Sequence, residues 1–210
     1  MSAKSVAGLI LAAGKSERMG SPKSLLRVGN TTFLEHIYLQ AREGGLDPVR
    51  IVLGHEAETI LQALPQLAPQ VVFNLIYEMG QLSSLLRGLE ALEAFPIEGF
   101  MLLLVDHPFV TGALIQRLVR AFSAGASPLV IPTCQGKRGH PVIFAKSLFS
   151  ELKSTPMKAG AAAVVKNHAN EILHLQVEDT GILIDIDTPE IYRKYTEKLA
   201  YSRVDGAPHD

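Results

Sequence analysis

Three cations, Lys15, Arg18 and Lys23, stand close together in the stretch GLILAAGKSERMGSPKSLL, residues 8–26. Ala12, Ala13 and Gly14 precede them with little or no side chain, so backbone N–H groups there can come close to a ligand. Donors followed by cations suit a triphosphate. Charge-assisted hydrogen bonds hold the phosphates, and Arg can bind them in a bidentate way. The turn is not a Walker A loop, which needs four residues between its first Gly and the Gly-Lys-Ser. Here Leu9 occupies the place of that Gly. The dinucleotide pattern GxGxxG is also absent, which argues against a nicotinamide-dependent oxidoreductase. The competing reading is a solvated turn leading into a surface helix; the long Gly-Lys-Arg-Lys spacing favours phosphate.

Carboxylates come next. Asp106 follows the apolar run FMLLLV, so it emerges from the core at the carboxyl end of a strand, where hard oxygen ligands can hold Mg²⁺ beside a triphosphate. As an alternative it is a turn or N-cap residue before Pro108. His107, beside it, reads as a solvent-facing residue, with a pH-sensitive substrate contact as the alternative. Asp185 and Asp187 lie in DIDTPE, which also reads as a helix start with Asp187 or Thr188 as cap and Pro189 early. In GQLSSLLRGL, a loop enters a helix at Gly80, where backbone donors favour an anion or a base edge, and Ser83 is alternatively a plain N-cap. In GKRGHPVIF, Lys137 and Arg138 precede Gly139, His140 and Pro141; the turn is an exposed hairpin tip or a receiver of a phosphate.

These residues need a scaffold. Apolar runs at Val6–Ala12, Val49–Leu53, Val71–Leu75, Phe100–Val105, Leu129–Pro132 and Pro141–Phe144 predict strands. Helical spacing predicts helices over Thr32–Gly44, Ala57–Leu64, Ser83–Ala94, Thr111–Ala124 and Ala159–Asn167. The alternation predicts an α/β fold of three layers, a mostly parallel sheet with helices on both faces. Ligands of such sheets collect at the strands' carboxyl ends. With 210 residues, one domain over residues 1–195 is expected, followed by a polar tail at 196–210. Net charge is −1, so no global field attracts nucleic acid or an anionic membrane. No apolar run reaches the roughly 18 residues of a membrane span, and the first residues lack a signal-peptide core. The single Cys134 fits a reducing cytosol, and a cytoplasmic protein is expected.

Leu11–Leu26 resembles the signature loop L-A-x-G-x-S-x-R-M-G-x-x-K of nucleotidyltransferases with the glycosyltransferase-A-like (nucleotide-diphospho-sugar transferase) fold. Within them the sequence most resembles the molybdenum cofactor cytidylyltransferases, the MocA-like family. GQLSSLLRGL, LLLVDHPFV, GKRGHPVIF and DIDTPEIY follow in the order of that family, so the resemblance covers about Val6 to Lys194. It implies that Leu11, Ala12, Ala13, Gly14, Lys15, Ser16, Arg18 and Lys23, with Gly80, Ser83 and Ser84, bind CTP. It implies Mg²⁺ on Asp106 with a carboxylate from Asp185 or Asp187, and an acceptor site at Arg138, Gly139, His140 and Pro141. Arg18, Lys23 and Asp106 are the implied catalytic residues. Two departures stand out. The family's D-Q-P or D-M-P is here Asp106-His107-Pro108, and its acidic G-D-x-G-A-R segment is replaced by STPMKAGAAAVV, with Ala162 in the place of the Arg.

The implied reaction is nucleotidyl transfer. A phosphate oxygen of molybdopterin attacks the α-phosphorus of CTP, pyrophosphate leaves, and a recipient molybdoenzyme is a further partner left open. A phosphate needs no strong base, so catalysis rests on positioning and charge neutralisation. The L-A-A-G form of the loop resembles cytidylyltransferases, and L-A-G-G the guanylyltransferases. GTP and sugar or polyol phosphate acceptors remain alternatives. So does a non-catalytic carrier of the cofactor, which the missing acidic segment motivates and the retained Asp106 opposes.

Overall fold

The computed structural model describes residues 4–201. In chain order its strands are β1 (Val6–Ala12), β2 (Arg27–Val28), β3 (Thr31–Thr32), β4 (Val49–Leu53), β5 (Val71–Phe73), β6 (Gly99–Leu104), β7 (Leu129–Cys134), β8 (Lys137–Arg138), β9 (Val142–Ala145) and β10 (Ile172–Gln176). The helices are α1 (Phe33–Glu43), α2 (Ala57–Ala63), α3 (Gln81–Leu92), α4 (Gly112–Ala124), α5 (Phe149–Ser154), α6 (Gly160–Asn167) and α7 (Pro189–Tyr201). Among the described residues, one eight-stranded sheet runs β10-β7-β9-β6-β1-β4-β5, with β8 on β7. β1 pairs in parallel with both β4 and β6, whereas β9 is antiparallel to β6 and β7.

β1 is central because its sequence is apolar on both faces, and every residue of it is buried. Its side chains alternate between the two faces, as a strand's must. Val6, Ile10 and Ala12 meet α1, α2 and α4 through Leu34, Ile37, Ile60 and Leu118. Leu9 and Leu11 meet α3, α5 and α6 through Leu85, Leu89, Leu152 and Val164. The result is the expected three-layer α/β arrangement. α1 and α4 start where their sequences supply caps: the Thr32 side chain accepts from the N–H of Glu35, and that of Thr111 from Leu114. Such caps contribute about 1 kcal/mol each.

A smaller cluster anchors the C-terminal part. Val28, Phe33 and Ile186 are buried together, with Phe109, Tyr192 and Tyr195 packed against them. The Tyr192 hydroxyl donates to the Arg27 carbonyl at 3.0 Å. The segment before α7 is thereby fixed over the carboxyl end of β6. α7 runs on through Tyr201, so residues 196–201 of the stretch read as tail are helical; 202–210 lie outside the described residues. Among the described residues no helix is long and apolar enough to cross a membrane.

Candidate active site

The carboxyl ends of β1 and β6 open into a cleft of about 550 Å³. Its first wall is the loop after β1. Leu11, Ala12, Ala13, Gly14, Lys15, Ser16, Arg18 and Lys23 all line it. The loop is pinned at both ends: the N–H of His55 donates to the Ala13 carbonyl at 3.2 Å, and that of Lys23 to the Ser16 hydroxyl at 3.2 Å. Ser16 takes a positive φ of 53°, which turns the chain across the strand ends. Lys15 pairs with Glu78 on the rim at 2.7 Å.

The opposite wall carries the acids. Asp106 lies just past β6, and its carbonyl accepts from the N–H of Ile186 at 2.9 Å. That one backbone bond brings the Asp185–Asp187 stretch beside Asp106. A second tie lies behind it, where the N–H of His140 donates to the Ile182 carbonyl at 3.0 Å. Gly139 makes this approach possible, since a Cβ there would sit 2.5 Å from that same carbonyl oxygen. Lys23 joins the walls. Its Nζ is 3.2 Å from Asp106 Oδ2 and also bonds Asp187 Oδ1, while Arg18 bonds Asp187 Oδ2.

The charges respond to this crowding. Burial works to raise the carboxyl of Asp187, yet the hydrogen bond and charge of Lys23, with Arg18, hold it below the usual carboxylate range. Asp185 is pushed up to about 6 by burial first and then by Asp106 and Asp187, against the weaker pull of Lys23. Three carboxylates thus face two cations, and the cluster is short of positive charge. Burial also pushes the imidazole of His107 down, against the pull of Asp106, and takes His140 down to about 4 with the help of His107.

Several placements differ from expectation. Asp187 is not the cap of α7; the Thr188 hydroxyl accepts from the N–H of Ile191, leaving the Asp187 carboxylate in the cleft. Asp106 caps nothing either, because α4 is capped by Thr111. His107 is buried rather than solvent-facing, its ring centroid 4.7 Å from that of His140. α3 begins at Gln81 after Gly80, whose φ of 100° suits only glycine, so Ser83 is no N-cap. The Ser83 hydroxyl donates to the Gly80 carbonyl at 2.7 Å and accepts from Asn74 Nδ2 at 2.9 Å. Gly80 and Ser84 line the cleft; Ser83 and Asp185 do not. Of the expected acceptor residues, Arg138 is exposed on β8, 3.5 Å from His174, Gly139 and Pro141 are buried, and His140 stands behind Asp106. None of these four lines the cleft.

His55 and Tyr77 are among the cleft residues that the sequence does not single out. His55 follows β4, the parallel neighbour of β1, and its Nδ1 lies 3.3 Å from the Tyr77 hydroxyl. The carboxyl-end rule that located Asp106 also applies to His55; nothing in the sequence around Tyr77 marks it.

Comparison with known proteins extends this description. The chain is 39% identical over 125 residues to the bifunctional protein GlmU of Ruegeria sp. (strain TM1040), covering 57% of this chain and 27% of GlmU. It is 31% identical over 128 residues to a probable molybdenum cofactor guanylyltransferase of Opitutus terrae, covering 61% of each. The chain therefore spans less than two thirds of the length of either relative. The crystal structure of Rv0371c from Mycobacterium tuberculosis superposes with a TM-score of 0.80 at 28% identity, covering 92% of this chain and 98% of that one. A second structure of Rv0371c is a complex with manganese, with a TM-score of 0.72. The expected nucleotide-diphospho-sugar transferase fold is therefore present. Residues 8–172 match the model of the MobA-like NTP transferase domain, and the chain belongs to that family of nucleotidyltransferases.

Proposed function

We propose that the protein transfers CMP from CTP to the phosphate of molybdopterin and releases pyrophosphate. One observation carries the reading: Lys23 bridges Asp106 and Asp187 at the base of a cleft walled by the loop after β1. A cleft of about 550 Å³ suits a nucleotide, within the usual range of ligand sites. The triphosphate would lie along the loop, where backbone N–H groups with Lys15, Arg18 and Lys23 neutralise it. Gly80 and Ser84 face the same space and would contact the nucleoside. A phosphate oxygen of the acceptor then forms a bond to the α-phosphorus. The bond from that phosphorus to the bridging oxygen breaks, and pyrophosphate departs with the electron pair. Arg138, Gly139, His140 and Pro141 remain the proposed acceptor side. They do not line the cleft in the described structure.

The donor set fits a divalent cation. Asp106, Asp185 and Asp187 supply hard oxygen ligands, and their excess negative charge leaves Asp185 uncompensated. Mg²⁺ held there would polarise phosphate oxygens and neutralise developing charge. That a structure of Rv0371c, which shares this fold, is a complex with manganese supports a divalent cation. Lys23 keeps Asp106 and Asp187 oriented.

GTP is the second donor to test, because the Opitutus terrae relative is named a guanylyltransferase. The experiment incubates the protein with CTP, GTP, ATP or UTP, Mg²⁺ and molybdopterin, and measures pyrophosphate. Release with CTP alone is expected. Release with GTP alone overturns the donor, and tight CTP binding without release points to a carrier.

A further inference from the structure

A carboxylate oxygen of Asp106, a carboxylate oxygen of Asp185 and a ring nitrogen of His107 all lie within 4.8 Å of one another. One ion can reach all three. His107 is only 9% exposed, and its Nδ1 is buried with no hydrogen-bond partner among the described residues. Buried polar atoms are nearly always satisfied, so an orphan nitrogen on a ring that stands beside two carboxylates calls for an explanation; the Nδ1 of His140 also lacks a partner among the described residues. The rest of the cluster narrows the choice. Asp187 is engaged by Lys23 and Arg18, and Lys23 also takes Asp106 Oδ2. Asp185, which no cation bonds among the described residues, offers a carboxylate oxygen within 4.8 Å of a His107 ring nitrogen.

We infer that His107 is a metal ligand, and that Asp106, His107 and Asp185 form a mixed nitrogen and oxygen seat for a first-row transition-metal dication, for which Mn²⁺ is the paramagnetic probe. This deepens the proposed function and rests on it only in placing a cation at Asp106. An all-carboxylate site suits Mg²⁺, which takes oxygen ligands. An imidazole shifts the preference towards first-row transition metals, which accept nitrogen readily. The ring of His140, 4.7 Å from that of His107 between centroids, packs against the proposed ligand and restricts its orientation. Such packing holds a ligand in place in the way outer-shell partners do.

The test needs no nucleotide. The metal-free protein is titrated with Mn²⁺, and electron spin echo modulation is recorded on the bound ion. Nitrogen-14 modulation from a directly coordinated imidazole is expected in the wild type. In His107→Gln the modulation disappears and Mn²⁺ affinity falls by about tenfold or more, whereas Mg²⁺ affinity is unchanged and His140→Gln keeps the modulation. Bound Mn²⁺ without nitrogen modulation, unaltered affinity in His107→Gln, loss of the modulation in His140→Gln, or no Mn²⁺ binding overturns the inference. If His107→Gln does not fold, the wild-type spectrum decides. Because pyrophosphate release is measured separately, failure here leaves nucleotidyl transfer standing, and failed transfer leaves the metal seat standing.

Discussion

Replacing Lys23 by methionine keeps the length of the side chain and removes its charge. In the folded protein the Lys23 side chain is 11% exposed, and it lies between Asp187 and Asp106, themselves 21% and 27% exposed. At an effective dielectric near 20, one carboxylate about 4 Å away attracts an ammonium by about 4 kcal/mol. Desolvation and screening reduce that gain. Removing one partner of a fully buried pair costs about 3–5 kcal/mol, whereas an exposed pair is worth about 0–1. The partial exposure here puts Lys23→Met between those limits, at about 2 kcal/mol. For a chain of this size, each kcal/mol lowers Tm by about 2–4 °C, so a fall of roughly 4–8 °C is expected. Circular dichroism melts at low salt measure it. Adding Mg²⁺ or Mn²⁺ to the variant restores part of the loss, because a divalent cation replaces the missing positive charge. A Tm within about 1 °C of wild type, with no added effect of the cation, refutes the bridging role of Lys23.

Other consequences are simpler to measure. Asn74 is buried, and its Nδ2 donates at 2.9 Å to the hydroxyls of both Ser83 and Ser84. Asn74→Ala should cost about 1–3 kcal/mol in urea unfolding, since it leaves buried groups without a partner. Gly139→Ala places a Cβ 2.5 Å from the Ile182 carbonyl oxygen. It should cost about 1–3 kcal/mol and lower turnover as well, by displacing the stretch that carries Asp185 and Asp187. The imidazole of His168 is raised above its usual range, first by the Glu151 hydrogen bond and then by Glu171. Its contribution to stability is therefore complete below about pH 6.5 and is lost as pH rises through the folded-state value. His168→Gln should remove that part of the pH dependence between neutral and mildly alkaline melts, and an unchanged profile would contradict it.

The framework was readable because apolar periodicity and capping residues encode it directly. β1 and β4 fall where their apolar runs predict, and Thr32 and Thr111 cap as their positions suggest. β10 was missed because ILHLQ carries polar His174 and Gln176 on an edge strand that is only half buried. α5 is six residues long and has no side-chain cap, so it leaves little pattern. At the site, the cationic loop stood out because its signal is local. The choice between Asp185 and Asp187 was not local, since it depends on Thr188 taking the cap and on the hydrogen bond from Ile186 to Asp106. His107 was misread for the same reason. It is buried and packs against His140, far along the chain, which the bond from the His140 N–H to the Ile182 carbonyl helps to place.

The account depends most on Asp106, which faces the cleft between Lys23 and His107. Single-turnover pyrophosphate release by Asp106→Ala, with CTP, Mg²⁺ and molybdopterin at saturating concentrations, tests it most directly. A loss of several orders of magnitude, with circular dichroism unchanged, is the predicted result; release near the wild-type rate would contradict it.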